Sequence, residues 1–237
     1  MAANSTLKIG FVLDVSLDPP DGVQQYVITL GAWLRAEGHD VHYLVGETHR
    51  TDLAHVHSLS RNIGVRFNGN RTAVPLPVSR RRLQQLLAAE QFDVLHVQVP
   101  YNPFLAHHLI RAASPRTAVI GTFHIAPVSQ LVTMANIVLA KWLHSSLQRF
   151  DAMLSVSDAA AAFAKHTFNV DSKVLPNVIN YRRFHQVKRL QANHDKLLTI
   201  IFLGRLVPRK GCQVLLEAIA LLAQRQDTPK FRVQVGG

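Results

Sequence analysis

Short apolar runs alternate along the chain with segments whose apolar residues recur every three or four positions. Residues 8–14 (Lys8, Ile9, Gly10, Phe11, Val12, Leu13, Asp14) have the length and apolar density of a buried strand ending in an acidic residue. A turn rich in Pro, Asp and Gly follows. Val23, Val27, Leu30 and Leu34 then fall at i, i+4, i+7 and i+11, one face of a helix. Gly38 stops that helix, as a residue tolerant of positive φ does, and residues 39–45 form the next strand-like run. The cycle repeats with a helix over about 79–89, a strand at 93–97, a helix near 104–113, a strand at 118–123, a long amphipathic stretch at 131–150 and a strand at 152–156. Such alternation predicts an α/β fold with a doubly wound parallel sheet and right-handed crossovers. Ligands of such sheets collect beyond the carboxyl ends of the strands. The loops that begin at Asp14, Gln98, Phe123 and Ser157 are therefore where a site is sought.

Between Asn180 and Lys196 the chain turns polar and loses its apolar period. This divides it into a Rossmann-like domain over 1–180, a linker over 181–196 and the start of a second domain over 197–237. The last part reads as one strand at 197–203, a loop at 204–211, a helix over about 212–224 and a strand at 231–235. One βαβ unit of that size cannot cover both faces of its own sheet. The second Rossmann-like domain is expected to be incomplete.

Composition narrows the classes. With 48% hydrophobic and 17% charged residues, the 237-residue chain reads as a folded soluble protein. One cysteine, Cys212, excludes an intrachain disulfide and leaves too few thiolates for a zinc or iron–sulfur site, which fits a cytoplasmic protein. The amino terminus lacks the order of a signal peptide, and the most apolar later stretch, 131–143, contains Asn136 and Lys141 and is too short to span a bilayer. The net charge of +11 suits an anionic partner, but no zinc finger, recognition helix or aromatic-interleaved basic strand supports nucleic acid. Thirteen histidines invite a metal reading. Neither His55/His57 nor His107/His108 has the i, i+4 helical spacing of a zinc pair, so no metal is expected. A serine-hydrolase elbow and the glycine fingerprint of nicotinamide dehydrogenases are both missing.

The most suggestive segment is Gly204-Arg205-Leu206-Val207-Pro208-Arg209-Lys210-Gly211, which follows a strand and opens a helix. Helix N-terminal amides carry partial positive charge and unpaired donors. Arg205 can grip phosphate oxygens in a bidentate manner, and Lys210 adds a mobile point charge. Spacing alone leaves a second reading open, a basic surface turn with Gly211 as its hinge. The loop matches neither the Walker loop nor the Rossmann fingerprint. Arg80, Arg81 and Arg82 precede Leu83, Leu86 and Leu87. They make a short basic amphipathic helix that could face an anionic membrane surface, or be a solvated face with its leucines in the core.

The 204–211 loop, followed by Leu215, Leu216 and Ala218, resembles the donor-site loop of the family-four retaining glycosyltransferases, two-domain enzymes of GT-B fold. The likeness runs along nearly the whole chain. Gly22-Val23-Gln24-Gln25-Tyr26-Val27 is similar to that family's first loop and helix, and Gly121-Thr122-Phe123-His124 to its acceptor-side histidine motif. Gly38 to Val41, Asp93 to Val97, Ser155 to Ser157 and Pro176 to Phe184 match further segments in the family's order. The resemblance implies a nucleotide-sugar donor (a UDP-, GDP- or ADP-sugar), a saccharide or lipid-linked acceptor, and no required metal. It also implies a role for each matching residue. Gly22 would let backbone approach the donor diphosphate, His124 would contact sugar or acceptor near the reacting carbon, and Arg205 and Lys210 would hold the diphosphate. The last two would stabilise charge growing on the leaving group.

Departures from the pattern are Asp21 where a second glycine is common, Gln98 where a histidine is common, and Val178 and Asn180 where Gly and Asp are common. Asp21 would either place negative charge near a phosphate or cap the helix. The paired glutamates that hold sugar and ribose in the family do not occur, and no Asp or Glu stands out as a nucleophile. The expectation is a hexosyltransferase-type enzyme, cytoplasmic or peripheral on the inner face of the membrane, truncated so that these 237 residues alone have little or no activity. The alternative is a non-catalytic binding module whose basic cleft takes an anionic partner.

Overall fold

The computed structural model describes residues 5–67, 70–124, 130–185 and 197–237. They fall into two compact units, Met1–Asn180 and Tyr181–Gly237.

In the first unit the chain runs β1 (Lys8–Leu13), α1 (Gly22–Ala36), β2 (Asp40–Val45), β3 (Val56–Ser58), a hairpin of β4 (Asn62–Phe67) and β5 (Asn70–Pro75), α2 (Arg80–Glu90) and β6 (Val94–Gln98). It continues through α3 (Leu105–Ala112), β7 (Ala118–Phe123), α4 (Gln130–Leu147), β8 (Ala152–Ser155), α5 (Asp158–Phe168) and β9 (Lys173–Val174). Seven strands form one sheet in the order β3-β2-β1-β6-β7-β8-β9. Every neighbouring pair is parallel. The order reverses between β1 and β6, which is the switch point where open α/β sheets form a crevice.

Period-two alternation explains why the strands read as continuous apolar runs. Ile9, Phe11 and Leu13 face one way, into a core with Val41, Tyr43, Tyr26 and Val27. Val12 faces the other way, with Leu44, Leu95, Leu83 of α2, and Leu105 and Leu109 of α3. A sheet covered on both faces has no polar side to show. A third cluster gathers Phe123, Leu143, Phe163 and Phe168 beneath α4 and α5.

The leucines of α2 belong to this core. Leu83 is fully buried, and Leu86 and Leu87 pack against the same cluster. The apolar face of this helix is therefore not available to a bilayer, and only the exposed Arg80 and Arg81 remain for a charged surface. Arg82 donates to the carbonyls of Ser58 and Leu59 at 3.2 and 3.4 Å. Among the described residues no helix is long and apolar enough to cross a membrane.

Three features went unforeseen. The strand β3 is only three residues long, and β9 only two, too short for an apolar period to register. The antiparallel β4–β5 pair, from Asn62↔Pro75 to Phe67↔Asn70, flanks an Asn68-Gly69 dipeptide, which is a strong hairpin signal. Of the expected linker, the first five residues form α6 (Tyr181–His185), and 186–196 lie outside the described residues.

In the second unit β10 (Leu198–Leu203) pairs in parallel with β11 (Phe231–Gly236), connected through α7 (Cys212–Ala223). None of the α7 side chains is buried. Leu203 is 85% exposed and Ile201 67%, so this βαβ unit does not close a core of its own.

Close approach of α1 to β2 sets one stability prediction. A Cβ at Gly31 would strike the hydroxyl of Tyr43, whose ring is buried and cannot retreat. Gly31→Val should lower the urea midpoint by an amount equivalent to about 1–3 kcal/mol. An unchanged midpoint would show that the contact has slack.

Candidate active site

The carboxyl ends of β1, β6 and β7 carry a connected set of polar side chains. The last residue of β6, Gln98, is buried, and His124 follows directly on β7. The Gln98 amide nitrogen donates to the His96 carbonyl at 3.2 Å, which fixes the amide's orientation. Its oxygen then lies 2.7 Å from His124 Nε2. That nitrogen must therefore carry the proton and donate, leaving Nδ1 as the acceptor of the ring. Two residues before His124, Thr122 Oγ1 meets His96 Nε2 at 2.7 Å. The ring of Tyr26 lies edge-on to both histidines, with centroids 5.1 Å from His124 and 6.2 Å from His96.

Burial governs the charge state of both imidazoles. It lowers His124 to about 4. Burial first, then the neighbouring His124, lowers His96 to about 4. At neutral pH both rings are uncharged. His124 can offer a lone pair or a hydrogen bond to a ligand, but not a full positive charge.

Asp14, just past β1, is 3% exposed. Its Oδ1 accepts from the Ala106 backbone N–H at 2.7 Å, so it serves as a remote cap for α3, whose own N-cap residue, Phe104, supplies no capping bond. Burial pushes the carboxyl up to about 7 against the lowering effect of hydrogen bonds from Ala106 and Phe104. Gly22 is the first residue of α1, one turn before Tyr26. A Cβ there would meet nothing within 4 Å. Packing does not require glycine at this position, and the space beside it is open. Asp21 occupies the N-cap position without a side-chain capping bond.

Near the carboxyl ends of β2 and β3 lies a cavity of about 490 Å³, lined in part by Glu47, His49, Ser60, Arg61, Leu76 and Arg82. In the second unit, the loop after β10 ends in a single turn of 3-10 helix, Pro208–Lys210, followed by Gly211 at φ 76°. That left-handed conformation needs glycine and aims the chain into α7. No side chain caps α7, so its first-turn amides have no intrahelical acceptor. Arg205 and Lys210 are exposed on this loop. Of the four residues singled out beforehand, Gly22 and His124 stand in the first unit, linked through Tyr26, and Arg205 and Lys210 share the loop of the second. His96, Gln98 and Tyr26 were not named as site residues. Gln98 and Tyr26 could have been, since one ends a strand and the other lies a helical turn beyond Gly22.

The model of Glycosyltransferase Family 4 matches residues 20–183. Two phosphatidyl-myo-inositol mannosyltransferases are similar to the chain. That of Propionibacterium freudenreichii subsp. shermanii is 32% identical over 98% of this chain and 62% of its own length. That of Mycobacterium leprae is 30% identical over 98% and 64%. The chain thus spans less than two thirds of these relatives. Among solved structures, TarM superposes with a TM-score of 0.62 at 8% identity, over all of this chain and 73% of that one. This likeness shows the fold.

The buried imidazoles make stability pH-dependent. An unfolded histidine titrates near 6.5, whereas folded His96 and His124 titrate near 4. The stability they contribute is complete above about 6.5 and is lost as pH falls towards 4, because the unfolded chain takes up protons the fold refuses. Asp14 opposes this, since the fold keeps its proton up to about 7 while the unfolded carboxyl gives it up near 3.8. Two rings outweigh one carboxyl. Urea unfolding should show a lower midpoint at pH 5 than at pH 7, and a flat or rising midpoint would contradict this reading.

Proposed function

Because the chain belongs to glycosyltransferase family 4, we propose that it takes part in moving a hexose from a nucleoside-diphosphate sugar to an acceptor hydroxyl. The observation that carries the reading is the loop from Gly204 to Gly211, with two cations flanking the uncapped start of α7. A diphosphate seated there would receive α7 amide donors and charge-assisted bonds from Arg205 and Lys210. As the sugar–phosphate bond breaks, negative charge grows on the leaving oxygen, and fixed cations stabilise that state more than the ground state. Gly22 contributes open space at the start of α1, so that backbone can approach a phosphate. His124, neutral and holding its Nε2 proton on Gln98, offers Nδ1 to a hydroxyl of the donor sugar or acceptor. Nothing in this division of labour needs a metal ion.

Similarity to phosphatidyl-myo-inositol mannosyltransferases supports a lipid-linked acceptor and a mannose-type donor. Exposed Arg80 and Arg81 support a peripheral position on an anionic, cytoplasmic membrane face. The cavity lined by Arg61, Arg82 and His49 suits the anionic or polyol end of such an acceptor. The exposed apolar faces of β10 and α7 leave the donor loop without a packed wall behind it. These residues alone should therefore bind donor weakly and transfer sugar slowly.

Calorimetric titration with UDP, GDP and ADP tests the donor site. One of the three should bind. Arg205→Ala and Lys210→Ala should each weaken it by roughly 10-fold or more, as expected for losing a charge-assisted bond of ~1.5–3 kcal/mol. Gly22→Ala should leave the melting temperature unchanged or raised, because its Cβ meets nothing, yet weaken donor binding. Equal affinities in all these variants would remove the assignment. Sugar transfer by these residues alone at the ~1–10³ s⁻¹ of ordinary enzymes would refute the expectation of slow turnover.

A further inference from the structure

The amino-terminal end of the same sheet, opposite the strand ends just described, carries three histidines and two carboxylates. The strand β2 places Asp40 and His42 two residues apart on one face, and His55 and His57 repeat that spacing at the start of β3. Parallel pairing brings the two sets side by side, with Tyr43 N–H bonded to the His55 carbonyl at 3.0 Å. Asp40 Oδ1 lies 3.1 Å from His42 Nε2 and 3.1 Å from His55 Nδ1. The spacing test applied to the sequence was helical. On strands, two residues apart is the spacing that shares a face, so helical spacing does not decide what this cluster can hold.

We propose that Asp40, His42 and His55 form a binding site for a divalent transition metal, best suited to zinc, with His57 orienting His42. Tetrahedral zinc with bonds of ~2.0–2.2 Å needs donor atoms roughly 3.2–3.5 Å apart, close to the separations here. Two imidazoles and one carboxylate make a donor set zinc favours. The buried ring of His42 is the central observation. Its Nδ1 lies 3.0 Å from His57 Nε2, and its Nε2 is buried with no hydrogen-bond partner. When Nδ1 donates to His57, Nε2 presents a lone pair to the Asp40 carboxylate, and two acceptors face each other across 3.1 Å. A cation between them resolves that repulsion. A ligating histidine whose other nitrogen donates to a neighbour is the usual outer-shell arrangement.

Charge and access agree. Lys8 Nζ pairs with Glu90 Oε2 at 3.0 Å and touches Asp40 on Oδ2 at 3.6 Å, leaving Oδ1 to the ion. With Lys8 and Glu90 cancelling, the Asp40 carboxylate supplies the negative charge that faces the ion. The His55 side chain is 53% exposed, so solvent can reach the fourth coordination position. His55 also holds φ at 56°, unusual for a residue other than glycine. The bound ion would tie the edge strand β3 to β2. It would stabilise the first unit rather than serve transfer, so it stands independently of the donor-site reading.

The test uses the whole chain, freed of metal by chelation. Zinc titration by calorimetry should show one tight equivalent, and cobalt(II) should give the intense visible bands of tetrahedral coordination. His55→Asn tolerates positive φ but removes the imidazole. It should weaken zinc by at least ~10-fold and abolish the bands, and His57→Gln should weaken it by about 10-fold through lost orientation. His144→Ala, at an exposed histidine outside the cluster, should leave binding unchanged. Zinc should raise the melting temperature of the native chain and not of His55→Asn. Absence of an equivalent in the native chain, or unchanged affinity in His55→Asn, would overturn the proposal.

Discussion

Strand β1 pairs with β2 on one side and β6 on the other, both in parallel register. Parallel pairing forces each connection to cross a sheet face as a helix. It buries both faces and sends every strand's carboxyl end to the same edge. In the first unit that edge is where Asp14, Gln98 and His124 arrive from three strands distant in sequence. The same geometry collects Lys8, Asp40 and His42 at the opposite edge. One pairing constraint thus creates two polar ends separated by an apolar middle.

Polar groups at the carboxyl end are held at a cost. His96, Gln98, Asp14 and Thr122 are nearly inaccessible, and burying such groups is tolerated when hydrogen bonds replace water. Gln98 bridges His96 and His124, Thr122 bonds His96, and Asp14 caps α3. These bonds fix the orientation of His124 before any ligand arrives. A buried neutral histidine with a set tautomer differs chemically from an exposed one that is half protonated near neutrality. The glutamine here supplies an amide oxygen that cannot ionise, so His124 keeps its proton on Nε2 whatever the pH above its own titration.

Legibility in the sequence followed how local the determinants are. Long periodic stretches such as the α1 face of Val23, Val27 and Leu30, and runs such as 8–13, disclose their element directly. The parallel sheet follows from their alternation. Strand β3 acquires its identity only by pairing with β2, so no local pattern reveals it. Gly22, His124, Arg205 and Lys210 enter the proposed site through motif likeness alone. The roles of Gln98 and Tyr26 depend on contacts across 26 residues (Gln98 with His124) and between helix and strand, which spacing does not encode. The histidine–carboxylate cluster escaped for the same reason, because its members meet only once two strands lie side by side.

The second unit is physically different. It has the parallel pair and crossover of a Rossmann-like half but exposes the apolar residues that would form its core. Its loop retains the features that matter for an anion, with Gly211 in the left-handed conformation and α7 uncapped. Hydrogen–deuterium exchange with and without a nucleoside diphosphate tests the central claim at atoms that would make the contact. Backbone amides of Cys212, Gln213 and Val214 should exchange more slowly when the diphosphate is present. Protection confined to other segments, or no change at the start of α7, would contradict the account.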